Sequence, residues 1–344
     1  MTPKERIKLM LGNKEVDRPG VALWKHFSLV DRDKTNFVNK TVGFQEENNW
    51  DLIKVSYNGF YFVEGWGAEV KWPTTKEESD SMYTHPPFKK YVIDDPVEWD
   101  SFKAIPANTN AFARELEATK KIIEHFKGNV PILPTIFSPL TSAQEMTGSF
   151  TRPDLILAQM KYHPERVHKA LEIITEVTIN FIEELVKLGI DGIFFAVQLS
   201  RHELMTPKAF KEFGKKYDLM VLDTIKDKTW FNMAHIHGKG DLMFDEIKEY
   251  PVQALNWEDL GTSMSLKEAS KITDKILVGG LEHEVDFNEP DREKLINNLK
   301  KRVQCATEQV NSNRLIIGPG CTVPNYVPED GFSALKEVVN GLKR

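Results

Sequence analysis

A (β/α)8 barrel is the fold class this sequence predicts, and three observations carry the prediction. Eight short β-branched or aromatic runs alternate with stretches whose apolar residues recur three and four apart. The runs are apolar nearly throughout, as strands buried on both faces of a parallel sheet are. No self-similarity at a period of roughly 20 to 50 residues is present, which sets aside solenoids and propellers.

In chain order the strand runs are residues 21–27, 52–57, 132–137, 192–197, 230–237, 253–257, 276–281 and 314–318. The clearest helix is Pro164–Leu188, where Val167, Leu171, Ile174, Val177, Phe181 and Leu185 form one stripe. Thr206 before Pro207 and Pro328 before Glu329 are start signals for later helices. Residues 72–107 are rich in Pro, Ser, Thr and charge and read as an irregular connection after the second strand. A connection that long is usually a lid or subdomain. The expectation is one domain over 1–344 with an elaborated loop.

Composition narrows the function classes. With 41% hydrophobic and 28% charged residues, the 344-residue chain has the balance of a well-cored globular protein. A net charge of -6 without a basic stripe argues against a nucleic-acid partner. Apolar runs such as 190–197 are far shorter than the roughly 20 residues that span a bilayer. The opening MTPKERIKLML lacks the apolar core of a secretory signal, and a cytoplasmic, membrane-free location is expected. Cys305 and Cys321 are too few for a disulfide framework, so Cys321, in a Gly-rich turn, reads as a ligand or nucleophile.

Barrel active sites are built at the C-terminal ends of the strands. That rule selects Trp24, Lys25 and His26 after the first run, Tyr57 and Asn58 after the second, Phe137 and Ser138 after the third, Gln198 after the fourth, His235 and His237 after the fifth, Asn256, Trp257 and Glu258 after the sixth, Glu282 and His283 after the seventh, and Cys321 after the eighth. Trp24, His26, Tyr57, Gln198 and Trp257 are the candidate substrate-binding residues, and Glu258 and Glu282 the candidate acid/base groups. His283, between two glutamates, reads equally as a solvent-facing neighbour. His85, His125, His163 and His168 lie in the excursion or on helices and carry no functional signal. His235 and His237 are two apart on one strand and face the same side, with Ile236 facing away. Cys321 follows the eighth strand. Two imidazoles and one thiolate form a zinc set with an open fourth position, the arrangement of a catalytic site.

At these residues the sequence resembles the uroporphyrinogen decarboxylase superfamily. The opening KERIKLMLGNKEVDRPGV is similar to the family's helix and Asp-Arg-Pro turn, and ALNWED and VGGLEHEVDF fit its intervening strands. His235-Ile236-His237-Gly238 stands where its cobalamin-dependent methyltransferases have HxCG, and Gly318-Pro319-Gly320-Cys321-Thr322-Val323-Pro324 resembles their PGCxxP element. The decarboxylase branch is marked by an arginine-bearing RQAGR-like segment, an Asp after the second strand and a Tyr after the third. Here the corresponding stretches read Trp24-Lys25-His26-Phe27-Ser28 and Ser56-Tyr57-Asn58-Gly59, and residues 138–148 hold no Tyr.

The resemblance therefore implies the methyltransferase branch, with zinc on His235, His237 and Cys321. It also implies a small methylated substrate and cobalamin supplied by a partner corrinoid protein, since no DxHxxG corrinoid motif surrounds any of the nine histidines. His237 in place of Cys leaves the site with one thiolate, about one unit more positive and a harder Lewis acid. That points to an oxygen-bound methyl donor such as an aryl methyl ether, with His235 and His237 catalytic through the metal. A decarboxylase and a non-catalytic ligand- or corrinoid-binding protein are the alternatives. A homodimer is compatible with the sequence.

Overall fold

The computed structural model describes residues 1–82, 86–148 and 152–342. Eight parallel strands form the central sheet: β1 (Gly20–Val21), β2 (Ile53–Val55), β3 (Ile132–Phe137), β4 (Phe194–Val197), β5 (Met233–Ile236), β6 (Ala254–Trp257), β7 (Ile276–Leu281) and β8 (Leu315–Pro319). Their order around the sheet is β1-β8-β7-β6-β5-β4-β3-β2, so each strand from β2 to β8 lies beside its sequence neighbour and β1 returns to β8. That cyclic order is the TIM-type barrel the sequence predicts.

The last seam, between β1 and β2, is closed by one aspartate rather than by a ladder. The Asp51 N–H donates to the Val21 carbonyl at 2.8 Å, and the Asp51 carboxylate accepts the Val21 N–H at 2.8 Å. The same carboxylate accepts from Arg18 at 2.6 Å and from Arg6, which also holds Asp17 at 2.8 Å. Asp51, Arg6 and Arg18 are all buried, and their charges compensate one another. Asp51 precedes β2, which places the cluster at the N-terminal end of the barrel.

The runs at 132–137 and 276–281 become β3 and β7 with unchanged bounds, whereas 21–27 and 52–57 shrink to two and three residues. At the seam there is no partner ladder to extend them. The helix Pro164–Leu188 forms as read, with all six stripe residues fully buried. The Thr206 hydroxyl accepts the Ala209 N–H with Pro207 opening the helix, and the last helix, Asp330–Asn340, follows Glu329.

The connection at 72–107 is more regular than the composition suggests. It contains the helix Lys76–Ser81, the strand Phe88–Lys90 paired antiparallel with Glu69–Val70, and a 3-10 turn at Pro96–Ser101. Local caps explain this: the Thr75 hydroxyl accepts from Glu78, and Asp95 and Glu98 cap each other's backbone. Trp99 anchors the segment, fully buried and donating its indole N–H to Gln159 at 2.6 Å. His85 lies outside the described residues. No helix among the described residues is long and apolar enough to cross a membrane.

Candidate metal centre and substrate cavity

The site begins with strand register. In the β4–β5 and β5–β6 ladders, Ala196, His235 and Asn256 are in line, so all three face the barrel interior, while Ile236 and Trp257 face the helices. His237 continues beyond β5, its N–H donating to Val197 at 2.9 Å, and Gly238 turns the chain at a φ of 107° that a side chain would resist. Cys321 arrives from β8 through Gly320, where an added Cβ would lie 2.7 Å from the Glu258 Cα. Only a bare backbone brings the thiol this far inward.

The three side chains converge. Cys321 Sγ lies 3.9 Å from His235 Nε2 and 3.6 Å from His237 Nδ1. One donor atom from each falls within 4.8 Å of the others, the only such His/Cys/Asp/Glu group among the described residues.

Asn256 sets the tautomer of His235. Its Nδ2 donates to the carbonyls of Val278 and Pro319, both at 3.0 Å, which leaves Oδ1 to accept from His235 Nδ1 at 2.7 Å. The proton is thereby held on Nδ1 and the Nε2 lone pair faces Cys321, the outer support a metal-binding imidazole needs. The ring also stacks on Phe194, with centroids 5.2 Å apart. Burial, with the neighbouring His237, pushes the His235 pKa well below its ordinary value, so the imidazole is neutral. Burial and the nearby Glu258 charge push the Cys321 thiol up to about 12. Two imidazoles, that of His235 neutral, facing a thiol that only a cation would ionise at neutral pH make a donor set that fits zinc.

The centre opens into a cavity of about 220 Å3. Of the candidate substrate-binding, acid/base and metal residues, Trp24, His26, Gln198, His235, His237, Glu258 and Cys321 line it. Three, Tyr57, Trp257 and Glu282, do not line it. Tyr57 is buried with its hydroxyl on Thr119, away from the inward-facing Lys54. Trp257 faces the helices, donating to the Met264 carbonyl at 2.6 Å and packing against Phe244. Glu282 pairs with Arg302 at 3.6 Å on the outer helix layer. His283 is buried and lines the cavity rather than facing solvent.

Sequence reading missed Lys54, Asp31 and Glu145. Lys54, inside β2, points into the cavity with its ammonium 3.0 Å from Ser56 Oγ and 4.8 Å from the Phe194 ring centre, and burial pushes its pKa down to about 7. Burial pushes Asp31 up to about 7, against the pull of Arg114 and Arg32. Glu145, on the helix Pro139–Thr147, is fully buried and its pKa is raised well above the carboxylate range. Glu258 is raised by burial, partly offset by Lys239 at 3.9 Å. Only Lys54 had a usable signal: a lone cation inside an apolar strand run.

Comparison with known proteins agrees with this architecture. A family model described as uroporphyrinogen decarboxylase matches residues 46–342. The methylcobamide:CoM methyltransferase MtbA of Methanosarcina acetivorans is 18% identical over 356 residues, covering 99% of this chain and 98% of the relative. The methylcobamide:CoM methyltransferase MtaA of Methanosarcina barkeri is 23% identical over 298 residues, covering 84% of this chain and 79% of the relative. A solved methyltransferase from Methanosarcina mazei superposes with a TM-score of 0.80 at 19% identity over the full length of both chains. A B12-independent methionine synthase from Shewanella sp. W3-18-1 reaches 0.59 at 12% identity, covering 94% and 97% of the two chains. At these identities the structural likeness is one of fold.

Proposed function

This chain belongs to the uroporphyrinogen decarboxylase family, and from that premise we propose that it is a corrinoid-dependent methyltransferase with a zinc centre. It would move a methyl group between a small molecule and the cobalamin of a carrier protein. The observation that carries the reading is the convergence of His235, His237 and Cys321 on the cavity floor, with Asn256 holding His235 in its ligating tautomer. The whole-length similarity to methylcobamide:CoM methyltransferases supports the reaction class.

Bound there, zinc supplies Lewis acidity next to the substrate, harder with one thiolate than with two. The chain's own residues do the rest. Trp24, Phe60, Trp72, Phe137 and Phe194 give the substrate an apolar wall, the feature that fits the aryl methyl ether suggested by the sequence. Glu258, buried and near Lys239, is the acid/base group within the cavity. Trp72, Pro73, Met82 and Pro86 bring the 72–107 excursion to the cavity edge, where it acts as a lid that keeps water from the reacting methyl group. A decarboxylase of a polycarboxylated tetrapyrrole is disfavoured because no arginine lines the cavity among the described residues.

The test is to incubate the protein with a cob(I)alamin-loaded carrier protein and methylated donors while following methylcobalt absorbance. Transfer that depends on the chain and is lost in Cys321→Ala is expected. Coproporphyrinogen formed from uroporphyrinogen at enzyme-like rates, with no transfer to any corrinoid, would overturn the reading.

A further inference from the structure

Buried polar atoms are nearly always hydrogen-bonded, and a group of exceptions in one place marks what a ligand must supply. Along the cavity wall His26 Nδ1, Asp31 Oδ1, both carboxyl oxygens of Glu145 and Gln198 Oε1 have no partner among the described residues. All but the histidine nitrogen are oxygens. The wall is rich in unmet acceptors and correspondingly short of N–H groups.

Glu145 is the extreme case. It sits on a helix, Pro139–Thr147, whose every residue is buried, and the Gln198 side chain is the polar group facing it. A carboxyl sequestered this way is costly to the fold, and packing alone would favour an apolar residue. Gln198 follows β4 directly beside His237, whose N–H bonds to Val197, so the pair adjoins the metal centre. The cavity's buried cation does not answer it. Lys54 contacts Ser56 and Phe194. The same cavity is lined by the rings of Trp24, Phe60, Phe137 and Phe194, aromatic surface that attracts an organic cation.

We propose that Glu145 and Gln198 receive the protonated nitrogen of an amine, so that the methylated molecule handled here is an N-methylammonium bearing at least one N–H rather than a methyl ether. The inference rests on the methyltransferase reading for the methyl group and on the cavity wall for the amine. An ammonium N–H satisfies a Glu145 oxygen and Gln198 Oε1 together, its charge compensates the Glu145 carboxylate, and its methyl groups lie on the aromatic faces. An ether oxygen brings neither a charge to compensate the Glu145 carboxylate nor an N–H for Gln198 Oε1.

Isothermal titration calorimetry of the full metal-loaded chain decides the matter, with dimethylammonium, trimethylammonium, tetramethylammonium and anisole as probes. Dimethylammonium and trimethylammonium should bind, and tetramethylammonium, which has no N–H, at least about tenfold more weakly. Glu145→Gln should weaken trimethylammonium about tenfold while leaving metal content unchanged, and Gln198→Leu provides the same comparison should the first variant fold poorly. Equal affinity for trimethylammonium and tetramethylammonium, anisole binding without amine binding, or an unaltered Glu145→Gln would each overturn the proposal. If amines bind but no corrinoid carrier gains a methyl group, amine recognition stands and the methyltransferase reading fails. If ethers methylate the corrinoid and no amine binds, the amine proposal fails and the methyltransferase reading stands.

Discussion

Two buried polar clusters occupy opposite ends of the barrel, and they are completed to different degrees. At the N-terminal end the Asp51 carboxylate accepts from Arg6, Arg18 and the Val21 backbone, and Arg6 also holds Asp17. At the C-terminal end neither oxygen of Glu145 has a hydrogen-bond partner among the described residues, and Gln198 and Asp31 each present an oxygen that is likewise unmet among them. The first cluster closes the sheet where no ladder does, so its pairing is structural. The second costs stability and is a place a ligand would complete, the usual trade between stability and function at a site.

Breaking the first cluster should have the largest effect. Asp51→Ala leaves two buried guanidinium groups without their shared carboxylate and opens the β1–β2 seam, a loss of about 3 to 5 kcal/mol in urea unfolding. A loss below about 1 kcal/mol would mean that the seam is held by apolar packing alone.

Next in size is the support of the metal centre. Asn256→Ala removes the acceptor that keeps the His235 proton on Nδ1, and metal affinity measured by chelator competition should fall about 10- to 100-fold with the fold retained. Unchanged affinity would show that Asn256 serves only the Val278 and Pro319 carbonyls.

Glu145→Leu sharpens the contrast from the other side. Replacing an unpartnered buried carboxyl with an apolar residue of similar size should raise stability by about 1 kcal/mol in the absence of ligand. A fall of similar size would mean that the carboxyl is a structural member of the wall.

The smallest effect is in pH dependence, and the two ends have opposite signs. The Arg6 hydrogen bond holds the Asp17 pKa down at about 2 against an ordinary 3.8. The folded state therefore binds this proton less readily than the unfolded state, and the associated stability is present above pH 3.8 and lost as pH falls through about 2. Burial raises Glu145 well above its ordinary 4.5, so the folded state holds this proton more tightly and stability declines as pH rises above 4.5. Glu145→Gln should flatten that alkaline decline and leave the acid limb unchanged, as followed by thermal melts across the pH range. A decline of undiminished slope would assign it to the other raised carboxyls, Asp31, Glu115, Asp218, Glu258 and Asp259.

The same comparison explains what was legible in the sequence. Apolar runs and helical stripes report burial, and burial fixed β3, β7 and Pro164–Leu188 to the residue. The convergence of His235, His237 and Cys321 was legible because HxH on a strand places both imidazoles on one side whatever the register. Register itself is not written in the sequence, and it is register that places Asn256 rather than Trp257 beside His235. Tyr57 failed for the same reason, being an odd step from Lys54. Glu145 was hidden because it lies in a helix turn that tertiary packing buries on every side. Asp51 carries no signal in the sequence, because Arg6, Arg18 and Val21 reach it from separate parts of the chain.

Metal stoichiometry of protein purified without chelators, read by mass spectrometry for wild type and Cys321→Ala, tests the central claim most directly. The account calls for one zinc per chain in the wild type and almost none in a Cys321→Ala protein with unchanged circular dichroism. Folded wild type that remains metal-free even after incubation with excess zinc would contradict it.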